Sequence, residues 1–214
     1  MKGNRAALGV VVAGWLLLIA GAAAAAEHEY IGVEKCGTCH EKALYGDQVA
    51  KWRDSAHAKA YTSLASDKAL EYAKTKGIEG SPQQAKECLE CHVTSHGVAP
   101  ALIKYDLEPA DGVQCESCHG AGADYRKREI MSDLEQAKAK GLVPQTEAVC
   151  TDCHNDRSPA WDPARFTLPD GKRAGFDFEQ AVAKIAHATP KDRKGKIMQL
   201  EDEEKAKNKK RSVR

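Results

Sequence analysis

Four times along this chain, two cysteines stand three positions apart with a histidine directly after the second. The motifs are Cys36-Gly37-Thr38-Cys39-His40, Cys88-Leu89-Glu90-Cys91-His92, Cys115-Glu116-Ser117-Cys118-His119 and Cys150-Thr151-Asp152-Cys153-His154. The chain has 8 cysteines, and these motifs use all of them. Paired thiols followed at once by an imidazole are the attachment signature of c-type haem, the sulfurs bonding the porphyrin and the histidine its iron. Structural zinc and redox dithiols also use paired cysteines. Neither calls for a histidine after every second cysteine. The motifs therefore predict four covalently attached haems, with His40, His92, His119 and His154 as iron ligands.

Four irons need second axial ligands, and of the 8 histidines four stand outside the motifs: His28, His57, His96 and His187. All four are candidates. His96 follows His92 by four residues, and at about 3.4 Å per residue that tether spans at most roughly 14 Å. Passing around a macrocycle to its far face takes all of that, so a neighbouring haem is the better target for His96. His28 precedes His40 by twelve residues, enough to wrap the first haem or to reach another subunit.

The polypeptide alone has little with which to build a core. It holds 12 aromatic residues in 214, and 29% of its side chains are charged. Haems would supply the missing apolar bodies. Residues 1–26 read as a secretory leader: Lys2 and Arg5 lead, an apolar run follows, and small residues end it before Glu27, with cleavage expected after Ala26. An uncleaved membrane anchor is the competing reading. Export suits covalent haem, since cytosolic thiols at this spacing more often bind zinc. Without the leader, 30 basic residues face 31 acidic ones, a formal charge of −1. That balance gives no basic signal for nucleic acid, and no second apolar run follows to span a membrane.

Several elements must position the motifs. Apolar spacing of three and four predicts a helix over 45–64 that carries His57. A second helix is expected over 66–76. Ser81-Pro82 reads as a helix start leading into the second motif. Loop or extended chain is expected from His92 to the third motif, and a charged helix over 124–140 after it. Pro144 is expected to open a short helix with the fourth motif. Asp177-Phe178-Glu179-Gln180 resembles a capping box for a last helix through His187. Residues 27–190 thus read as one tetrahaem domain. Residues 191–214 read as a charged, flexible tail, with ten basic and five acidic residues.

Asp54-Ser55-Ala56-His57-Ala58-Lys59-Ala60, Gly112-Val113-Gln114 with the third motif and Gly120, and the final helix ending at His187 together resemble the tetrahaem cytochrome c-554 family. The resemblance implies a mainly α, small and irregular fold, with helices and loops packed around closely spaced haems. It also implies electron transfer between redox partner proteins. By that resemblance His57 would ligate the third haem and His187 the fourth. The family's first haem takes a histidine after the third motif, yet residues 120–149 contain none, so that haem recruits His28 or His96 or goes without. Bis-histidine iron has no open position and suits a carrier rather than an enzyme. A second haem lacking its sixth ligand would instead suit reduction of a small molecule such as nitric oxide. His28 bound in a neighbouring subunit would suit self-assembly into a conducting filament.

Overall fold

The computed structural model describes residues 28–158 and 160–187. The expected leader and the charged tail lie outside these residues. The described chain is mostly helical. Its helices are α1 (Gly32–His40), α2 (Gln48–Arg53), α3 (Ala60–Ser63), α4 (Asp67–Thr75) and α5 (Lys86–His92). They continue as α6 (Cys115–His119), α7 (Arg128–Met131), α8 (Leu134–Ala139), α9 (Glu147–Thr151) and α10 (Phe178–Ile185). One antiparallel hairpin joins β1 (Phe166–Thr167) to β2 (Arg173–Ala174). No described helix is long and apolar enough to cross a membrane.

Side-chain caps account for three of the described helix starts. Ser66 Oγ accepts from the Ala69 N–H at the start of α4, with Asp67 in its first turn and Lys74 in its last. Asp177 Oδ1 accepts from Gln180 N–H at 2.8 Å and opens α10, as expected. The expected helix over 124–140 is instead two. Asp133 Oδ1 takes the N–H groups of Glu135 and Gln136, each at 3.1 Å, and so caps α8 as a fresh start. The expected helix over 45–64 also breaks. Ser55 Oγ accepts from His57 N–H and Ala58 N–H, closing a turn between α2 and α3. His57 therefore sits on a turn, not on a helix. The hairpin was not expected, although Leu168-Pro169-Asp170-Gly171 between its strands is a turn sequence.

The fold is knitted together by the segment entering the third motif. Val113 N–H donates to the His57 carbonyl at 3.0 Å, and Trp52 Nε1–H donates to the Val113 carbonyl at 2.7 Å. Gly112 holds φ +66°, and a Cβ there would stand 2.6 Å from the His57 carbonyl oxygen, so only glycine fits. Gln114 is buried; its Oε1 accepts from Val33 N–H at 2.7 Å, and its own N–H donates to Thr94 Oγ1 at 2.7 Å. One short segment thus ties α1, the turn after α5 and the His57 turn.

Glu116, inside the third motif, is only 3% exposed. Its carboxylate accepts from Ile31 N–H, Gly32 N–H and Gly122 N–H at 2.7–3.1 Å. Burial pushes its carboxyl up while those three donors pull it down. Replacing Glu116 by Ala leaves three buried donors without an acceptor, and each lost partner is expensive. The expected loss is about 3–5 kcal/mol in denaturant unfolding of the intact protein, with Glu116→Gln losing less. An Ala variant as stable as the parent would rule out the clamp.

Candidate functional site

The four cysteine pairs come together in a definite order. α1 packs on α6, and the thiols of Cys36 and Cys115 lie close enough to perturb each other, so the first and third motifs touch. The thiols of Cys91 and Cys153 are likewise close, joining the second motif to the fourth. Cys118 lies within electrostatic reach of Cys150 and links the two halves. No disulfide joins any of the eight cysteines. The motifs therefore run in space from first to third to fourth to second.

Histidines from outside the motifs close on two of them. The His57 ring centre lies 6.0 Å from that of His154, and the His187 centre lies 5.9 Å from that of His119. Two imidazoles holding one first-row metal from opposite sides, each nitrogen about 2 Å away, have ring centres roughly 6 Å apart. Both pairs fit one iron between them. Burial pushes the His57 and His154 rings below the usual histidine range. His119 is pushed down to about 4, by burial first and then by the neighbouring His187 and His40. Each is held as the neutral imidazole, the form that binds metal.

This pairing is the reverse of the one the family resemblance implies. Phe176 stacks on His154 with ring centres 5.4 Å apart, and Phe166 meets Phe176 edge-on. α10 has eight residues and so spans about 12 Å. A chain anchored at Phe176 and carried along α10 delivers His187 well away from His154, to His119. His57, fixed by its carbonyl beside Val113, turns its ring the other way to the fourth motif.

The other motif histidines have fixed orientations. His92 Nδ1–H donates to the Ala60 carbonyl at 2.8 Å, and His40 Nδ1 meets Gln48 Oε1 at 3.0 Å. Both partners accept through oxygen, so Nε2 keeps its lone pair for a metal. The Gln145 amide donates to the Cys118 carbonyl at 2.7 Å and stands 3.2 Å from His119 Nδ1. His40 lies within electrostatic reach of His119 and His187, and His92 within reach of His154. His96 sits half-buried on the turn just beyond α5. His28 bonds Asp124, near the end of the third motif.

Two cavities adjoin the motifs. A cavity of about 490 Å³ beside the second and fourth is lined by Lys76, Ile78, Ala85, Glu87 and Arg157. Another of about 250 Å³ beside the first is lined by Val33, Glu41, Val49, Trp52 and Ala58. Among the described residues no cluster of three or more His, Cys, Asp or Glu could hold a bare metal ion. Four of the eight histidines meet in two pairs, and two imidazoles are what one haem iron can take as axial ligands. Sequence reading missed Gln48, Phe176, Glu116 and Asp124. Glu116 and the Phe176 aromatic stood in plain view beside recognised features, but Gln48 and Asp124 carried no signal.

Residues 35–120 match the family described as cytochrome c554 and c-prime. The chain is 28% identical over 199 residues to cytochrome c-554 of Nitrosomonas europaea, covering 84% of this chain and 83% of that one. It is 30% identical over 90 residues to the multihaem cytochrome MtrA of Shewanella baltica, covering 38% of this chain and 27% of that one. The solved structure of reduced cytochrome c554 from Nitrosomonas europaea matches with a TM-score of 0.48 at 26% identity, over 74% of this chain and 79% of that one.

Proposed function

We propose that this chain, a haem-based electron carrier similar to cytochrome c-554, is an exported tetrahaem cytochrome passing electrons between redox partner proteins. The observation that carries the proposal is the pair of facing imidazoles, His57 with His154 and His187 with His119, at a separation that suits one iron each. Cys36 and Cys39, Cys88 and Cys91, Cys115 and Cys118, and Cys150 and Cys153 are the attachment residues. His40, His92, His119 and His154 are the motif ligands. Bound haem would supply a one-electron ferric–ferrous couple. The polypeptide fixes the spacing of the attachment sites and orients their histidines. With His187 beside His119 and His57 beside His154, haem iron at the third and fourth sites would have no open position for a substrate. The contiguous order of the motifs supports a relay with ends at the first and second.

Residues 1–26 would direct the chain to the periplasm or beyond, and be cut after Ala26. Intact mass together with EPR tests the whole reading. A chain beginning at Glu27 and carrying four covalent haems is expected, with low-spin iron signals. Fewer haems, or a retained leader, would overturn it. One high-spin iron in four would turn the reading toward small-molecule reduction.

A further inference from the structure

His28 stands outside the motifs, eight residues before Cys36, and its ring too is held by a hydrogen bond. Its Nδ1 stands 2.7 Å from Asp124 Oδ2, across 96 residues of chain. A carboxylate only accepts, so Nδ1–H donates, and in the neutral ring the lone pair sits on Nε2. Nε2 has no hydrogen-bond partner among the described residues. The ring also rests on Gly141, where a Cβ would come within 2.7 Å of His28 Cδ2. Gly141 holds φ +99°, so side chains are unwelcome there on two counts. A histidine pinned at Nδ1 by a carboxylate, with Nε2 open, is the arrangement that second-shell groups impose on metal ligands. His40 and His92 show the same arrangement with neutral acceptors.

Position decides which iron His28 would serve. His119 and His154 already face His187 and His57. That leaves His40 and His92. Glu29, next to His28, accepts through its carbonyl from Ala123 N–H, and Tyr125 donates to the carbonyls of His119 and Gly120. His28 therefore belongs to the half of the molecule built on α1 and α6, which holds His40. His92 is bonded to Ala60 and neighbours His154, in the other half.

We propose that His28, oriented by Asp124, is the axial partner opposite His40, and that Asp124 is a positioning residue that tunes that haem. The inference rests on the tetrahaem reading and concerns one iron within it. The carboxylate makes the imidazole a stronger donor, which stabilises the ferric state and lowers the potential.

The test uses the purified holoprotein. His28→Gly is expected to give one more high-spin iron than the parent by EPR, with added imidazole restoring the low-spin count. His28→Met is expected to raise one midpoint potential, since methionine ligation does so. Asp124→Asn should raise the same midpoint by less, and Asp124→Glu should bring it back. In protein lacking the first haem (Cys36→Ala, Cys39→Ala), His28→Gly should change nothing. Unchanged spin states in His28→Gly, or a fresh high-spin signal in the protein without the first haem, would overturn the pairing. A midpoint shift in Asp124→Asn at a different haem would remove Asp124 from the role. If the parent carries four haems and His28→Gly is silent, only this inference fails. If the parent carries fewer, the tetrahaem reading fails with it.

Discussion

Made without haem, with its eight cysteines changed to serine, this chain is expected to lose its cooperative unfolding transition altogether. The reason lies in what the described residues bury. Thirteen apolar side chains form the core, and five of them are alanines: Ala60, Ala73, Ala85, Ala121 and Ala137. Only Tyr125 and Phe166 bring aromatic bulk. Burying a large aliphatic side chain is worth about 1.5–3 kcal/mol, and an alanine far less. Against this stands an ordering cost of about 1–2 kcal/mol per residue for the backbone alone. The helices cannot make up the difference. None of them exceeds nine residues, the length of α1 and α4, and isolated helices shorter than about 12–15 residues are marginal in water. Covalent porphyrins would change both sides, adding apolar area to bury and tethering distant segments. Circular dichroism against temperature is the measurement. A gradual, featureless loss of helix signal is expected, and a sigmoidal transition in the haem-free chain would show that the polypeptide carries its own core.

The attachment motifs could be read from the sequence as candidates because they are local. Each attachment motif is five residues long, and its meaning does not depend on the fold. The caps of α4 and α10 were legible for the same reason, since Ser66 and Asp177 act within three residues. What failed was non-local. The periodicity over 45–64 is real, but the His57 carbonyl is used by Val113, 56 residues on, and the helix gives way to a turn. Glu116 and Gln114 looked like filler around a cysteine pair. They are the most buried polar groups of the described chain, because α1 docks its N-terminal N–H groups onto them. Asp124 was one acid among 31, and only folding brings it to His28. The ligand pairs depend on long-range packing too. The resemblance set His57 against the third motif, and its backbone does lie there, beside Val113; the ring points to the fourth.

That difference between backbone and ring makes His57 the residue whose replacement says most. On the tetrahaem proposal, His57→Gly is expected to convert one iron from low-spin to high-spin, with imidazole restoring the original spectrum. The loss should be confined to the haem of Cys150 and Cys153, because the His57 ring centre is 6.0 Å from that of His154. Two backgrounds locate it. Where the fourth haem is absent (Cys150→Ala, Cys153→Ala), His57→Gly should add no high-spin iron, because the site it serves is gone. Where the third is absent (Cys115→Ala, Cys118→Ala), the same replacement should produce the full signal. Two residues acting on one iron must be non-additive in this way, and residues on separate irons must add. The opposite pattern would place His57 on the third haem, and His187 would then have to leave His119. For that, α10 would have to reverse its course from Phe176, giving up either the Phe176 stack on His154 or the Asp177 cap. The two ligand assignments are therefore linked through one short helix. Replacing His187 by Gly in the same two backgrounds should give the mirror-image result: silence without the third haem, and a full signal without the fourth.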